Sequence, residues 1–163
     1  MRTILFRGKR IDNGEWVYGY LLEAVNCNTD KKSTFIMEQD ATYYGYGEFA
    51  CSFEVIPETV GQFTGLTDKN GVKIFEGDIL KVSYDDGTAY TTEVYAYGST
   101  LCVDIEGEDY DFTAIDFAVD IWKDNWCKFE VIGNIYDNKE LSGNKNNGKI
   151  QSRRHHQSKQ REQ

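Results

Sequence analysis

The stretch Thr59 to Leu80, TVGQFTGLTDKNGVKIFEGDIL, constrains the fold more than any other part of the chain. Gly65, Gly71 and Gly77 recur in it at six-residue spacing among apolar residues, and Asn70-Gly71 is a pair of the kind that closes tight hairpins. Val60, Gln62 and Thr64 alternate with Gly61 and Phe63, a turn falls near Thr67 to Gly71, and Val72 to Phe75 continues as a short segment. Gly77-Asp78 turns the chain again. Such a pattern specifies backbone geometry, and it predicts short strands joined by turns.

The rest of the chain follows the same habit. Thr3 to Phe6 reads as a short apolar strand bounded by Arg7 to Arg10, and Asp12-Asn13-Gly14 turns it into a second strand, Trp16 to Val25. Within that strand Trp16, Tyr18 and Tyr20 fall on one face, with Val17 and Gly19 on the other. A polar loop over Asn26 to Lys32 precedes a strand at Ser33 to Met37. The glycine- and tyrosine-rich segment from Gln39 to Phe49 lacks a dominant period and offers Tyr43, Tyr44 and Tyr46 to a partner. Phe49 to Ile56 alternates as a strand until Pro57 removes a ladder donor.

Beyond the central stretch, Ile79 to Tyr84 and Ala89 to Tyr97 flank Asp85-Asp86-Gly87, the clearest hairpin in the chain. Leu101 to Ile105 alternates as another strand. For Phe112 to Lys123 two readings compete: Ile115, Phe117, Val119 and Ile121 suit a strand, whereas Ile115, Ala118, Val119 and Trp122 suit one face of a helix. Phe129 to Tyr136 reads as the last strand. After Gly143 only Ile150 is apolar, too little to offset the entropy of ordering.

Composition narrows the function classes. With 11 Tyr, 9 Phe, 3 Trp and a single Pro, the 163-residue chain suits strands and interfaces. From Ser142 onward Lys145, Lys149, Arg153, Arg154, Lys159 and Arg161 face only Glu162, so the tail stands near +5. Removing these from the totals of 18 basic and 27 acidic residues leaves 12 and 26 in the body, near −14. A body so acidic repels phosphate backbones unless a local basic patch overrides the field, and nucleic acid is not an expected partner of the folded part. The segment MRTILFRGKR lacks the apolar core of a secretory signal, and no window approaches the roughly 20 apolar residues that span a bilayer. A cytoplasmic chain with reduced thiols and no membrane partner is expected.

Candidate chemistry is sparse. Cys27, Cys51, Cys102 and Cys127 are widely spaced, and His155 and His156 lie in the polar tail, so the paired ligands of a zinc site are missing and the cysteines read as core or strand filler. Asp104, Glu106, Glu108, Asp109 and Asp111 lack the alternation and closing glutamate of a calcium loop and read as a solvated hairpin. Asp68 and Asp78 flank the central turn as a conceivable acid and base pair, but turn positions account for them through bonds to nearby amides. No phosphate-binding glycine loop occurs. Catalytic, cofactor and metal residues are therefore assigned to no position, and no enzyme activity is expected.

Three blocks, FRGKRIDNGEWVYGYLL, QFTGLTDKNGVKIFEGDIL and FEVIGNIYDNKEL, occur in the order found in the YopX family of uncharacterised phage and prophage proteins, which the chain resembles from Met1 to Leu141. The resemblance implies a phage or prophage protein acting in the bacterial cytoplasm as a homo-oligomer, with a small SH3-like β-barrel in its later half. It brings no reaction, cofactor or active-site residue. The resulting expectation is a mainly β protein: an N-terminal β-rich region over 1–58, an SH3-like barrel region over 59–141 with room for a minor helix, and a disordered basic tail over 142–163. The preferred function is a non-enzymatic, self-associating interaction module with an unknown host or phage protein as further partner. The alternative is an accessory factor of phage DNA metabolism that binds a protein partner and touches nucleic acid through its tail.

Overall fold

In the computed structural model, residues 3–26, 28–39, 51–105, 113–124 and 127–142 are described. The chain is mainly antiparallel β and divides into two compact units. The first comprises Met1–Thr67 with Lys73–Glu76, and the second comprises Asp68–Val72 with Gly77–Gln163. The glycine-rich stretch is thus itself divided between them.

The first unit contains β1 (Phe6–Lys9), β2 (Trp16–Val25), β3 (Lys32–Glu38), β4 (Ser52–Glu54), β5 (Gly61–Thr67) and β6 (Lys73–Phe75), hydrogen-bonded in the order β4-β3-β2-β1-β5-β6. The turn between β1 and β2 is closed by Gly14 N–H donating to the Arg10 carbonyl at 3.0 Å. Val17, Ile36 and Val55 form the buried cluster on one face, with Phe6, Phe53 and Val60 packed against it. Gly8 lies on this face because a Cβ there would sit 3.0 Å from Val55.

Two strand assignments are corrected in this unit. The first strand runs Phe6–Lys9 rather than Thr3 to Phe6, so Arg7 and Lys9 are strand residues and not a polar flank. Phe6 and Gly8 supply the core face, which leaves the alternate positions free to carry charge. The described part of the segment before Pro57 holds only the short β4, because Cys51 adopts a left-handed backbone at φ 67° and Pro57 opens a 3-10 turn through Thr59. Tyr43, Tyr44 and Tyr46 lie outside the described residues.

The second unit contains β7 (Asp78–Ser83), β8 (Ala89–Glu93), β9 (Tyr95–Tyr97), β10 (Thr100–Val103), β11 (Thr113–Ala114), α1 (Ile115–Asp124), β12 (Lys128–Asn134) and α2 (Lys139–Ser142). The hairpin at Asp85-Asp86-Gly87 joins β7 to β8, with Asp86 Oδ1 accepting the Thr88 N–H at 2.8 Å. What reads as one strand from Ala89 to Tyr97 is two, since Val94 N–H turns back to the Asp78 carbonyl and β9 pairs with β10 instead. The sheets are β12-β7-β8 and β11-β10-β9.

Among the described residues no sheet closes on itself, so the expected SH3-like barrel is replaced by open sheets. The two edges of β7 are occupied by β8 and β12, and β9 to β11 bond among themselves, which leaves no ladder continuing around a closed wall. The ambiguous segment is helical: Ile115, Ala118, Val119 and Trp122 are all buried, and Asp116, Phe117 and Asp120 are exposed. The spacing of the buried four is that of one helix face. Phe117, 61 % exposed, removes the strand reading, in which it would share the buried face.

Candidate interaction surface

The face of the first unit opposite the Val17 cluster is built by register. Arg7 pairs with Tyr18 and Gly61, Lys9 pairs with Trp16, Tyr20 pairs with Met37, and Phe63 pairs with Phe75. Directly opposed residues share a face, so Arg7, Lys9, Trp16, Tyr18, Tyr20, Phe63 and Phe75 project together. The alternation of Trp16, Tyr18 and Tyr20 is legible in the sequence. The cations among them are not, because Arg7 and Lys9 read as a polar flank beyond the first strand until the register is known.

Arg7 is the centre of this face. It is 5 % exposed, and its guanidinium carbon lies 4.7 Å from the Trp16 ring centre and 5.3 Å from that of Phe75. Its Nη2 donates to the Glu76 carbonyl at 2.9 Å. Gly61 admits this approach of chain to chain, since a Cβ there would meet the Glu76 carbonyl oxygen at 2.5 Å. Stacking spreads outward: Phe75 lies 5.4 Å from both Tyr18 and Phe63, Lys9 stands 5.7 Å above Trp16, and Lys73 stands 5.9 Å above Phe63. A guanidinium prefers such ring faces because it is planar and weakly hydrated, each contact contributing about 0.5–2 kcal/mol.

Farther along β2 the protein stops covering its apolar residues. Beyond Gly19 every residue from Tyr20 to Val25 is exposed, including Leu21, Leu22 and Val25. Successive strand residues point to opposite faces, so this arm presents apolar side chains on both sides.

Elsewhere, the residues weighed for acid and base chemistry have structural duties. Asp68 Oδ1 accepts the N–H groups of Asn70 at 2.8 Å and Val72 at 2.9 Å, and Oδ2 accepts that of Val131 at 3.1 Å. Burial pushes this carboxyl upward, but the amides of Val72, Val131 and Asn70 outweigh it and hold the group below its ordinary value. Asp78 is not a turn residue: it opens β7, is 1 % exposed, and pairs with Asn134. Asp104 accepts the Tyr95 hydroxyl at 2.7 Å, and the other acids of its cluster fall outside the described residues.

Cys102 and Cys127 are buried thiols, as core filler would be, and burial followed by nearby carboxylates raises both. Cys51 is exposed, and Cys27 lies outside the described residues. Among the described residues no three His, Cys, Asp or Glu side chains gather in a way that could hold a metal ion, and no helix is long and apolar enough to cross a membrane.

The family model described as YopX protein matches residues 5–141. No curated protein matches the chain. Among solved structures, protein YopX from Bacillus subtilis is 20 % identical with a TM-score of 0.49, the alignment covering 86 % of this chain and 98 % of that one. Protein EF1440 from Enterococcus faecalis is 26 % identical with a TM-score of 0.47, covering 86 % and 99 %. The family match takes in all three sequence blocks and both units, and stops where the basic tail begins: the chain belongs to the YopX family.

Proposed function

We propose that this protein is a non-enzymatic interaction module of a phage or prophage that associates with further copies of itself in the bacterial cytoplasm. The observation that carries this reading is the β2–β3 arm, where Leu21, Leu22 and Val25 are exposed on a ladder that remains fully paired from Gly19 to Val25. An arm held rigid by a partner strand keeps its shape without the apolar contacts of a core, and copies of it bury those side chains against each other. Homo-oligomers form this way because a self-complementary patch needs no second gene product. The commitment of Asp68 to three backbone amides supports a structural role for the residue closest to an acid or base candidate.

Light scattering on the purified chain at micromolar concentration tests the reading. The expected result is a mass of two or more chains that falls toward the monomer in Leu21→Asp/Leu22→Asp. A monomeric wild-type protein overturns it.

A further inference from the structure

We infer that the outer face of α1 is a docking surface for the chain's own basic tail, with Ile150 seated on Phe117 and the flanking cations on Asp116 and Asp120. The inner face of this helix packs on β10, β11 and β12. Its outer face presents Asp116, Phe117 and Asp120, and Phe117 is 61 % exposed. Residues four apart on a helix are neighbours, about 6 Å from each other along the axis, so the two carboxylates bracket the ring. Asp116 Oδ1 accepts the Phe117 N–H at 2.9 Å, and among the described residues neither carboxylate has an ion-pair partner.

Such a face selects its occupant by chemistry. Nucleic acid is repelled by the carboxylates. A second copy of the same face brings the same charges, and an apolar partner strips water from the carboxylates without replacing it. A basic segment with one apolar anchor satisfies both the ring and the acids. The tail contains one: Ile150, its single apolar residue, has Lys149 before it and Arg153 and Arg154 within four positions after it. Reach is sufficient. The helix α2, from which the tail departs, packs against β8, and Trp122 of α1 donates from Nε1 to the Tyr90 hydroxyl on the same strand at 3.0 Å. That strand has five residues, a length of about 17 Å. The seven residues 143–149 extend to about 25 Å. Tethering holds the segment at a millimolar effective concentration, so a contact too weak to join separate molecules still fills the face.

Carbodiimide coupling of an equal mixture of isotopically light and heavy full chains, mapped by mass spectrometry, tests this. The reagent takes up the water lost as a carboxylate and a lysine amine join in an amide. The expected product at low salt links Lys149 to Asp116 or Asp120 within one chain. It is expected to disappear in sodium chloride at about 1 M, where the screening length is about 3 Å. Ile150→Ser and Phe117→Ser are each expected to lower its yield about fivefold by removing one side of the apolar contact, and Ile150→Leu to preserve it. Leu21→Asp/Leu22→Asp, on the arm, is expected to leave the yield within about twofold, since cis docking needs no second copy. Circular dichroism of each variant establishes folding, and Ile150→Ser keeps the test decisive if Phe117→Ser fails to fold. Products that only join light to heavy chains, equal coupling of Lys149 to acids across the body, or a yield unchanged by Ile150→Ser overturns the proposal.

Discussion

The carboxylate of Asp68 accepts the backbone N–H of Val131, 63 residues further along the chain, at 3.1 Å while holding its own turn through Asn70 and Val72. One side chain thereby fixes the Asp68–Val72 turn to β12. Truncation leaves three amides without their acceptor in a site where the residue is 6 % exposed. Asp68→Ala is expected to cost about 3 kcal/mol, read from the urea midpoint at unchanged slope.

The same carboxylate sets a pH dependence. Its folded pKa is depressed, so its contribution is fully present above the unfolded value, about 3.9, and is lost as pH falls through the lower folded value. Stability of the wild type should therefore drop more steeply below about pH 4 than that of Asp68→Asn, with the two curves converging in acid. Urea unfolding between pH 2.5 and 7 measures both; parallel curves would remove Asp68 as the source.

At Arg7 the shape of the cation matters as well as its charge. Arg7→Lys retains the charge and loses the flat surface between Trp16 and Phe75, so a loss of about 1–2 kcal/mol is expected despite the conservative exchange. Thermal unfolding monitored by circular dichroism reads it. An unchanged midpoint would mean that charge alone suffices.

Gly61→Ala drives a Cβ to within 2.5 Å of the Glu76 carbonyl oxygen, the same atom that accepts from Arg7. Backbone on both sides cannot yield as a side-chain tip would. A loss of 2 kcal/mol or about that is expected in urea, larger than for alanine at an open strand position.

Thiol labelling under native conditions separates the described cysteines. Cys51 is exposed and should react first, whereas Cys102 and Cys127 are buried and their thiols are pushed up by burial and neighbouring carboxylates. Peptide mapping after brief alkylation identifies the modified positions. Equal labelling of Cys102 and Cys51 would contradict the buried placement.

Local chemistry made the turns legible. Gly71 and Gly77 adopt positive φ, at 79° and 80°, where a side chain is strained, and the pairs Asn70-Gly71 and Gly77-Asp78 marked these bends, whereas Gly65, at 91°, lies inside β5. The bounds of β2 and the common face of Trp16, Tyr18 and Tyr20 also follow from two-residue alternation. The segment at Ile115–Asp124 stayed ambiguous because both periods fit it, and burial of Trp122 against Phe129, with their rings 5.2 Å apart, selects the helix.

By itself the sequence determined where the backbone must turn, which strands alternate, and which family the blocks belong to, because each depends on residues a few positions apart. Tertiary structure alone decided strand partnership: β5 and β6 extend the sheet of β1, and the later strands form open sheets where a barrel was expected. It also decided that Arg7 is enclosed by rings and that Asp68 reaches Val131. Those outcomes rest on contacts between distant residues, whose register sets which charges share a face, and no local period encodes them.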